Sequence, residues 1–198
     1  MNLYEKKDSA LIPDFSVLAS DGNARVGEFR MPRHSLQTPT FMPVGTRGSV
    51  RTITSQDLEE IGADIILGNT YHLMLRPGEA LIEEFGGIHG FANWPRLVLT
   101  DSGGYQVFSL EPYVDDDGVE FKSTYDGSMH RLTPEKAVEI QISLGSDIQM
   151  VLDVCPPIPA EIGVVEMAVE RTHQWAKRGR DHFLNIRDSG HSDKAQFG

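Results

Sequence analysis

Cysteine is nearly absent from this chain of 198 residues, and its one thiol, Cys155, can form no internal disulfide. Such a composition is typical of a reducing compartment such as the cytoplasm. No apolar run is long enough for a membrane span, and residues 1–10 lack the apolar region of a signal peptide. One cysteine among scattered histidines also gives no zinc-ligand spacing. We therefore expect a cytoplasmic chain with no membrane anchor and no metal site of its own.

Positive charge is also scarce, since 18 Lys and Arg stand against 29 Asp and Glu and the net charge is −11. This balance disfavours broad, non-specific binding of nucleic acid, which depends on neutralising phosphates. A local basic patch can still bind RNA, and Lys177, Arg178 and Arg180 form one short basic cluster. A solvated helix face is the more ordinary interpretation of that cluster.

The chain has no internal repeat, and its apolar pattern begins with a hairpin and continues as alternating strands and helices. Alternation around Asp21 and Gly22 predicts a small antiparallel hairpin over residues 11–30. Residues 111–132 interrupt the later rhythm, and their turn sequence at residues 125–128 predicts an inserted β-hairpin. The remaining pattern predicts strands at residues 40–44, 64–67, 97–100 and 147–152 and helices at residues 55–61, 78–85, 133–144 and 161–186.

Four strand–helix units in series favour an α/β fold with a parallel sheet. Eight such units close a TIM (β/α)8 barrel of about 250 residues, and four cannot close one. No G-x-G-x-x-G segment follows the first strand, so a dinucleotide-binding fold has little support. We interpret residues 38–198 as the first four units of a barrel and the start of a fifth strand. The whole chain, residues 1–198, is then a single incomplete domain, the N-terminal half of a barrel.

Two apolar patterns predict where the core lies. Ile162, Val165, Val169 and Thr172 recur at helical spacing, which predicts a buried stripe along the last helix. The interior of the barrel is expected to be lined by Phe41, Ile65, Ile66, Val98 and Met150, among others.

The segment of residues 97–110 (LVLTDSGGYQVFSL) is the most informative part of the chain. Its apolar run predicts a buried parallel strand that ends at Asp101, and α/β folds place their chemistry at such strand ends. Gly103 and Gly104 permit a sharp turn or a close approach to a ligand, and Tyr105 can stack on a flat substrate. A purely structural interpretation is that Asp101 caps the following turn.

Polar or small residues follow each predicted strand, and a barrel would bring these four strand ends to one face. Asp101 and Asp153 are the two carboxylates of the set. A carboxylate can accept two parallel hydrogen bonds from the N1–H and the exocyclic amine of a guanine-like base. A tyrosine ring can stack on that base for roughly 1–3 kcal/mol. As alternatives, His72 is a core residue, Asn69 satisfies turn backbone, and Cys155 fills space in the core.

Four segments in order resemble the tRNA-guanine transglycosylase family, from about residue 15 to the last residue. They are residues 38–46 (TPTFMPVGT), 67–78 (LGNTYHLMLRPG), 101–110 (DSGGYQVFSL) and 153–157 (DVCPP). Members of that family exchange the guanine at the wobble position of tRNA for a queuosine precursor. The resemblance is to bacterial members, and it implies a pentosyltransferase built on a TIM barrel that acts as a homodimer on the tRNA anticodon loop.

The resemblance also implies roles for individual residues. Asp101 matches the acid that contacts the incoming base and transfers protons, and Asp153 matches the acid that reads the hydrogen-bonding edge of the base. Tyr105 matches the aromatic that stacks on the base. The other matched positions are Ser102 at the base or ribose, Asn69 in the polar part of the pocket with His72 near it, and Val44, Leu67 and Cys155 along the pocket wall. Because Val44 is branched, we expect a pocket sized for the small precursor preQ1 rather than for queuine.

The sequence departs from the family pattern in two respects. Many bacterial members have an acid where this chain has Val154, which puts the adaptation of that loop to different bases in doubt. The family's aspartate nucleophile, its zinc ligands and most of its basic tRNA-binding surface are expected beyond Gly198. We therefore expect no cofactor in this chain, zinc in the missing part, and no exchange activity from the chain alone.

Two other functions stay open from the sequence. One is a truncated, non-catalytic product that binds a purine-like base or a partner subunit. The other, from fold analogy alone, is an unrelated barrel enzyme with two acids, such as a glycosidase. The stacking tyrosine and the base-reading acid argue against the glycosidase.

Overall fold

An antiparallel sheet of three strands leads the chain. The computed structural model describes residues 13–191 and 193–198, so residues 1–10 and the first two residues of the predicted hairpin lie outside the described residues. A third strand, which the sequence analysis missed, pairs with the second strand of the hairpin. The strands are β1 (Asp14–Asp21), β2 (Ala24–Arg30) and β3 (Ser35–Thr38), in the spatial order β1-β2-β3.

The central sheet has four parallel strands, as the alternation of strands and helices predicts. The strands are β4 (Ile65–Gly68), β5 (Leu97–Thr100), β9 (Ile148–Met150) and β10 (Ala195–Phe197), in the spatial order β10-β9-β5-β4. The mixed α/β class is therefore confirmed. Among the described residues the sheet is open, so the barrel and the single incomplete domain stay predictions.

The strand predicted at residues 40–44 is wrong, because only Val44 pairs with the sheet, in a single parallel bridge to Leu67. Leu67 N–H donates to the carbonyl of Pro43 at 3.0 Å, and Gly45 N–H donates to the carbonyl of Leu67 at 2.8 Å. Pro39 and Pro43 have no N–H to donate, so a longer ladder cannot form here. The segment still runs beside β4 and delivers Val44 to the end of the sheet.

The inserted segment forms a second antiparallel sheet, β6 (Tyr113–Val114), β7 (Val119–Lys122) and β8 (Met129–Leu132). The antiparallel strands predicted there are present, with a short extra strand. Val119, Phe121 and Leu132 are buried in the main core, so the insertion packs against the body of the fold.

Short helices separate the strands, and their ends follow ordinary capping rules. Thr54 caps the first helix with a reciprocal capping box to Asp57, and Thr133 caps the helix that begins with Pro134. The helices are α1 (Ser55–Glu60), α2 (Thr70–Leu73), α3 (Glu79–Glu84), α4 (Gly87–Ala92), α5 (Gly104–Phe108), α6 (Pro134–Ser143) and α7 (Ile162–Asp188). No helix among the described residues is both long and apolar enough to cross a membrane.

The two faces of the central sheet belong to two separate apolar clusters. Ile66 and Val98 pack with Trp175 and Leu144 on the helix-covered face. The opposite face holds Phe29, Met31, Leu36, Ile65, Leu97, Leu99 and Ile148. Ile66 and Val98 were predicted on the interior face and lie on the other one, since neighbouring side chains of a strand alternate. Phe41, also predicted inside, is 81% exposed.

The stripe predicted on the last helix is wrong in its register. Ile162 is 75% exposed, and Val165 and Val169 are exposed as well. The buried residues of α7 are Ala168, Trp175, Gly179 and Phe183. In the first three turns of α7 only Ala168 is buried, so the apolar face that helical spacing predicted there is exposed among the described residues.

Candidate functional site

The strand ends place the predicted acids next to one another. β4 and β5 pair in register from Ile65 with Leu97 to Gly68 with Thr100, and β9 lies on the other side of β5. Parallel strands end at the same edge of a sheet, so Asn69, Asp101 and Asp153 follow neighbouring strand ends. The strand register thus brings together residues that are far apart in the sequence.

Asp101 is held by three hydrogen-bond donors. Thr70 N–H donates to Oδ1 at 2.9 Å, and Gly103 N–H donates to the same oxygen at 3.2 Å. The amide of Asn69 donates to Oδ2 at 2.5 Å. The Thr70 hydroxyl donates to the backbone carbonyl of Asp101 at 2.6 Å. Asp101 is therefore fixed from the β4 side before any ligand binds.

The pKa of Asp101 is raised, and desolvation by burial is its main cause. The charge of Asp153 raises it further, whereas the hydrogen bonds from Thr70, Gly103 and Asn69 oppose the rise. A carboxyl whose pKa moves towards neutrality is suited to giving and taking protons. Raised carboxyl pKa values are concentrated in functional sites, so this one favours a functional role for Asp101 over a role in capping the turn alone.

Asp153 approaches the glycine pair closely. The Ser102 hydroxyl donates to Oδ1 of Asp153 at 3.4 Å and accepts from Gly104 N–H at 3.2 Å. A Cβ atom placed on Gly104 would lie 2.9 Å from Oδ1 of Asp153. Gly103, with φ of 80°, adopts the left-handed conformation that favours glycine and caps α5. The two glycines therefore allow Asp153 to approach the turn after Asp101.

One cavity of about 280 Å³ contains both acids. Tyr105 stands at its rim and is 74% exposed, so its ring is free to cover a ligand. The lining residues are Asp101, Ser102, Gly103, Gly104, Tyr105, Met150, Val151, Asp153, Thr172 and Gly198. Four of the predicted site residues, Asp101, Ser102, Tyr105 and Asp153, thus share one cavity.

Cys155 contacts the same carboxylate from the far side. Its thiol donates to Oδ2 of Asp153 at 3.2 Å, and burial followed by that interaction raises the pKa of Cys155 to about 12. The thiol is therefore protonated at neutral pH and is not a nucleophile. Cys155 lines a neighbouring cavity of about 810 Å³, which shares the wall residue Tyr105 with the first.

Leu67 and Val44 lie on the apolar side of the site. Leu67 lines a cavity of about 690 Å³ over the open face of the sheet, and Asp101 stands at the edge of that cavity. Val44, beside Leu67, is 55% exposed. These two residues flank Asp101 but do not line the cavity that holds both acids.

His72 does not line the acid cavity. Its Nδ1 lies 2.8 Å from the hydroxyl of Tyr125, which belongs to the inserted sheet. Thr70 and Thr172 contribute to the site and Tyr125 contacts His72, and none of the three was predicted from the sequence. Thr70 follows Asn69 directly and was within reach of the strand-end argument, whereas Tyr125 and Thr172 become neighbours only in the folded chain. Within residues 13–191 and 193–198, no group of three or more His, Cys, Asp or Glu side chains is placed to hold a metal ion.

The fold and the cavity define an α/β protein with two neighbouring carboxyl groups and an exposed tyrosine at the ends of its parallel strands. The family model described as queuine tRNA-ribosyltransferase matches residues 20–198, and the chain belongs to that family. The resemblance recognised in the sequence is therefore confirmed.

Curated bacterial relatives agree with this assignment. A queuine tRNA-ribosyltransferase of Natranaerobius thermophilus is 52% identical over 166 residues, which cover 83% of this chain and 45% of the relative. That of Herpetosiphon aurantiacus is 54% identical over 161 residues, covering 80% and 41%. That of Bacillus licheniformis is 50% identical over 167 residues, covering 83% and 44%. The chain thus spans less than half the length of the relatives it matches.

Proposed function

We propose that this chain recognises the base in a tRNA-guanine transglycosylase, which exchanges the wobble guanine of tRNA for preQ1. The observation that supports this most directly is the cavity shared by Asp101 and Asp153 beside an exposed Tyr105. A planar base that offers two neighbouring N–H groups meets both requirements of such a cavity, a carboxylate acceptor and a stacking face.

Asp153 reads the edge of the base. An ionised carboxylate accepts two parallel hydrogen bonds, and guanine presents N1–H and the exocyclic amine side by side. The hydroxyl of Ser102 and the thiol of Cys155 each donate to one oxygen of Asp153, which holds the carboxylate in place. Adenine lacks this pair of donors, so the same carboxylate rejects it.

Asp101 exchanges protons with the bases. When the bond between the ribose and guanine breaks, the departing guanine needs a proton, and the incoming base must lose one before it bonds to the ribose. A carboxyl with a raised pKa gives the first proton and takes the second, so the acid is regenerated. Because Asp101 and Asp153 are both engaged with the base, the carboxylate that attacks the ribose is a third acid.

In this proposal the nucleophile is an aspartate on a later strand, beyond Gly198, and the zinc ligands are likewise expected beyond Gly198. The described residues 13–191 and 193–198 contain no ligand group that would hold such a zinc ion. The tRNA anticodon loop, a homodimeric assembly and action in the cytoplasm belong to the same proposal. A pocket sized for preQ1 rests on the branched side chain of Val44 beside Leu67.

Transfer of labelled guanine into tRNA tests the proposal. The chain alone should bind guanine without exchanging it, and mixing it with the remaining half of the Bacillus licheniformis relative should restore exchange. Guanine binding without exchange in that mixture would favour a non-catalytic purine-binding protein. Failure of the chain to bind guanine would show that the assignment of the cavity is wrong.

A further inference from the structure

Two arginines contact one tyrosine, Tyr125, in the turn between β7 and β8 of the inserted sheet. The guanidinium carbon of Arg47 lies 5.5 Å from the ring centre of Tyr125, and that of Arg76 lies 5.1 Å from it. Arg47 also donates a hydrogen bond to the Tyr125 hydroxyl at 2.9 Å. His72 of α2 contacts the same hydroxyl, so three segments meet here: the turn with Arg47, residues 72–76, and the turn with Tyr125.

Local backbone rules explain the positions of both arginines. Arg76 precedes Pro77, which disfavours the helical conformation, and its φ of −156° and ψ of 113° are extended. Its side chain thereby leaves the run of helical turns. Arg47 sits in a tight turn that is closed by the hydrogen bond from Gly48 N–H to the carbonyl of Gly45 at 2.9 Å.

Neither arginine is neutralised by the protein. Among the described residues, no carboxylate lies within 4.0 Å of Arg47 or Arg76, although seven other arginines have such a partner. Those seven are Arg30, Arg33, Arg96, Arg131, Arg171, Arg178 and Arg187. Asp126, next in sequence to Tyr125, accepts its hydrogen bonds from Ser128 instead. In a chain with net charge −11, two unpaired guanidiniums around one ring form a local site for an anion.

His72 reports on the same positive field. Burial lowers the pKa of His72, and the charge of Arg47 lowers it further. His72 is also tied to the acid cavity, because its backbone N–H donates to the side-chain carbonyl of Asn69, and the amide of Asn69 donates to Asp101. Arg47 is therefore connected to Asp101 through a chain of hydrogen bonds, and Arg76 joins it through the ring of Tyr125.

We propose that Arg47 and Arg76 bind a phosphodiester group of the RNA strand whose base occupies the Asp101 cavity, with Tyr125 holding the two guanidiniums in place. This site rests on the proposed function. Guanidinium groups match phosphate oxygens in pairs, and such bonds are stronger than neutral ones. A phosphate contact beside the cavity fixes the register of the strand without reading its sequence.

Binding of a fluorescent RNA stem-loop with guanine at the wobble position, measured with the full chain over a range of salt, tests this site. Arg47→Gln and Arg76→Gln should each weaken binding roughly fivefold and make the slope of log K against log salt shallower by about 0.7. Arg47→Lys keeps the charge and should keep the slope. Arg25→Gln, an exposed arginine elsewhere, should change neither quantity.

Two further readouts separate a phosphate site from a structural role. NMR titration measures the pKa of His72. Arg47→Gln should raise this pKa, because a positive charge is removed, and bound RNA should raise it in the unmodified chain, because a phosphate neutralises that charge. Inorganic phosphate serves as a competitor, and displacement of the RNA by phosphate at equimolar concentration would overturn an RNA diester as the occupant.

The remaining outcomes distinguish failure of the phosphate site from failure of the proposed function. Unchanged affinity and slope in both glutamine variants, or no RNA binding by the chain, overturns the phosphate site. Guanine binding that persists in that case leaves the proposed function standing. RNA binding that depends on both arginines, with no preference for guanine at the wobble position, supports the phosphate site and contradicts the proposed function.

Discussion

The side chain of Asn69 joins helix capping to the acid of the cavity. Its carbonyl oxygen accepts from the backbone N–H of His72 at 3.1 Å, which caps α2, while its amide donates to Oδ2 of Asp101 at 2.5 Å. One residue thus fixes the start of a helix and the orientation of a carboxyl. The two interpretations of Asn69 that the sequence left open, turn residue and pocket residue, describe two ends of the same side chain.

Asp153→Asn should weaken guanine binding at least tenfold. The amide places an N–H₂ group where the base offers its own donors, so at least one acceptor is lost, and hydrogen bonds to charged groups are worth about 1.5–3 kcal/mol. Titration calorimetry with guanine measures the change. Asp188→Asn, at the exposed end of α7, is the control and should bind as the unmodified chain does. Unchanged guanine affinity in Asp153→Asn would contradict the assigned role.

Gly104→Ala should reduce guanine binding and also lower stability, because its Cβ would meet the carboxylate and the backbone carbonyl of Asp153. The new Cβ would lie 2.9 Å from Oδ1 of Asp153, so the carboxylate must move away from its position. Gly163→Ala is the matched control, because no atom lies within 4 Å of its Cβ position and alanine favours the helix by about 1 kcal/mol. Guanine calorimetry and thermal unfolding of both variants check this. Tight guanine binding by Gly104→Ala would show that the position of Asp153 does not matter.

Stability should fall with rising pH on account of Asp101. Its pKa is raised in the folded chain, so the folded state binds the proton more tightly than the unfolded state does. The unfavourable contribution is absent below the unfolded pKa of about 3.9 and is complete above the raised pKa. The free energy of unfolding is measured with urea for the unmodified chain and for Asp101→Asn. From about pH 4 upwards, the value for the unmodified chain should fall relative to that of the variant. A constant difference over that range would refute the raised pKa.

Asp147→Asn should lower the free energy of unfolding by about 3 kcal/mol. The carboxylate is buried and accepts from His89 at 2.9 Å and from Val98 N–H at 2.8 Å, with Arg33 and Lys194 near its other oxygen. Burial alone would raise the pKa of Asp147, but the interactions with His89, Lys194 and Val98 lower it.

The stability that Asp147 contributes is therefore present above the unfolded pKa of about 3.9 and is lost as pH falls through the lowered pKa. Urea unfolding at pH 7 and below pH 4 measures both effects. Asp64→Asn, at a more exposed ion pair with Arg96, is the control and should cost less than about 1 kcal/mol. Equal losses in the two variants would argue against a special role of the buried acid.

Val44→Gly should improve binding of queuine relative to preQ1. A branched side chain beside Leu67 leaves less room for the larger base, and overpacking costs about 1–3 kcal/mol. Competition of the two bases for the unmodified chain and the variant gives the ratio of affinities. Leu81→Gly, on the distant helix α3, is the control for a general effect of the substitution. If the ratio of queuine to preQ1 affinity is unchanged in Val44→Gly, Val44 does not determine which base the pocket accepts.

Apolar runs and helix-capping residues were enough to predict several strands and helix starts. The strand at residues 97–100 ends directly before Asp101, as its apolar run indicates, and the helix after Thr133 begins at its proline. Asp101 and Asp153 could be placed together because parallel strands share one edge. That argument needs only the order of strands along the chain.

The rest depended on contacts that no local pattern contains. Helical spacing found the apolar stripe of α7, but the position of α6 decides that Trp175 and Phe183 are the residues that become buried. Likewise, Tyr125 meets Arg47 only because the turn between β7 and β8 folds against the turn at residues 45–48. The proline-rich segment before Val44 looked like a strand by composition, yet it lacked the N–H groups that a ladder requires.

The exposed first turns of α7 bear on the motion of the cavity. Thr172 accepts the backbone N–H of Val154 at 3.0 Å, so the loop with Asp153 is attached to α7 just before its firmly packed half. Helical turns that bury only one small side chain, as these bury Ala168, open at low free energy, and their amide protons exchange early. We therefore expect the loop and these turns to open together, and we expect a bound base that fixes Asp153 to slow amide exchange along the helix as well.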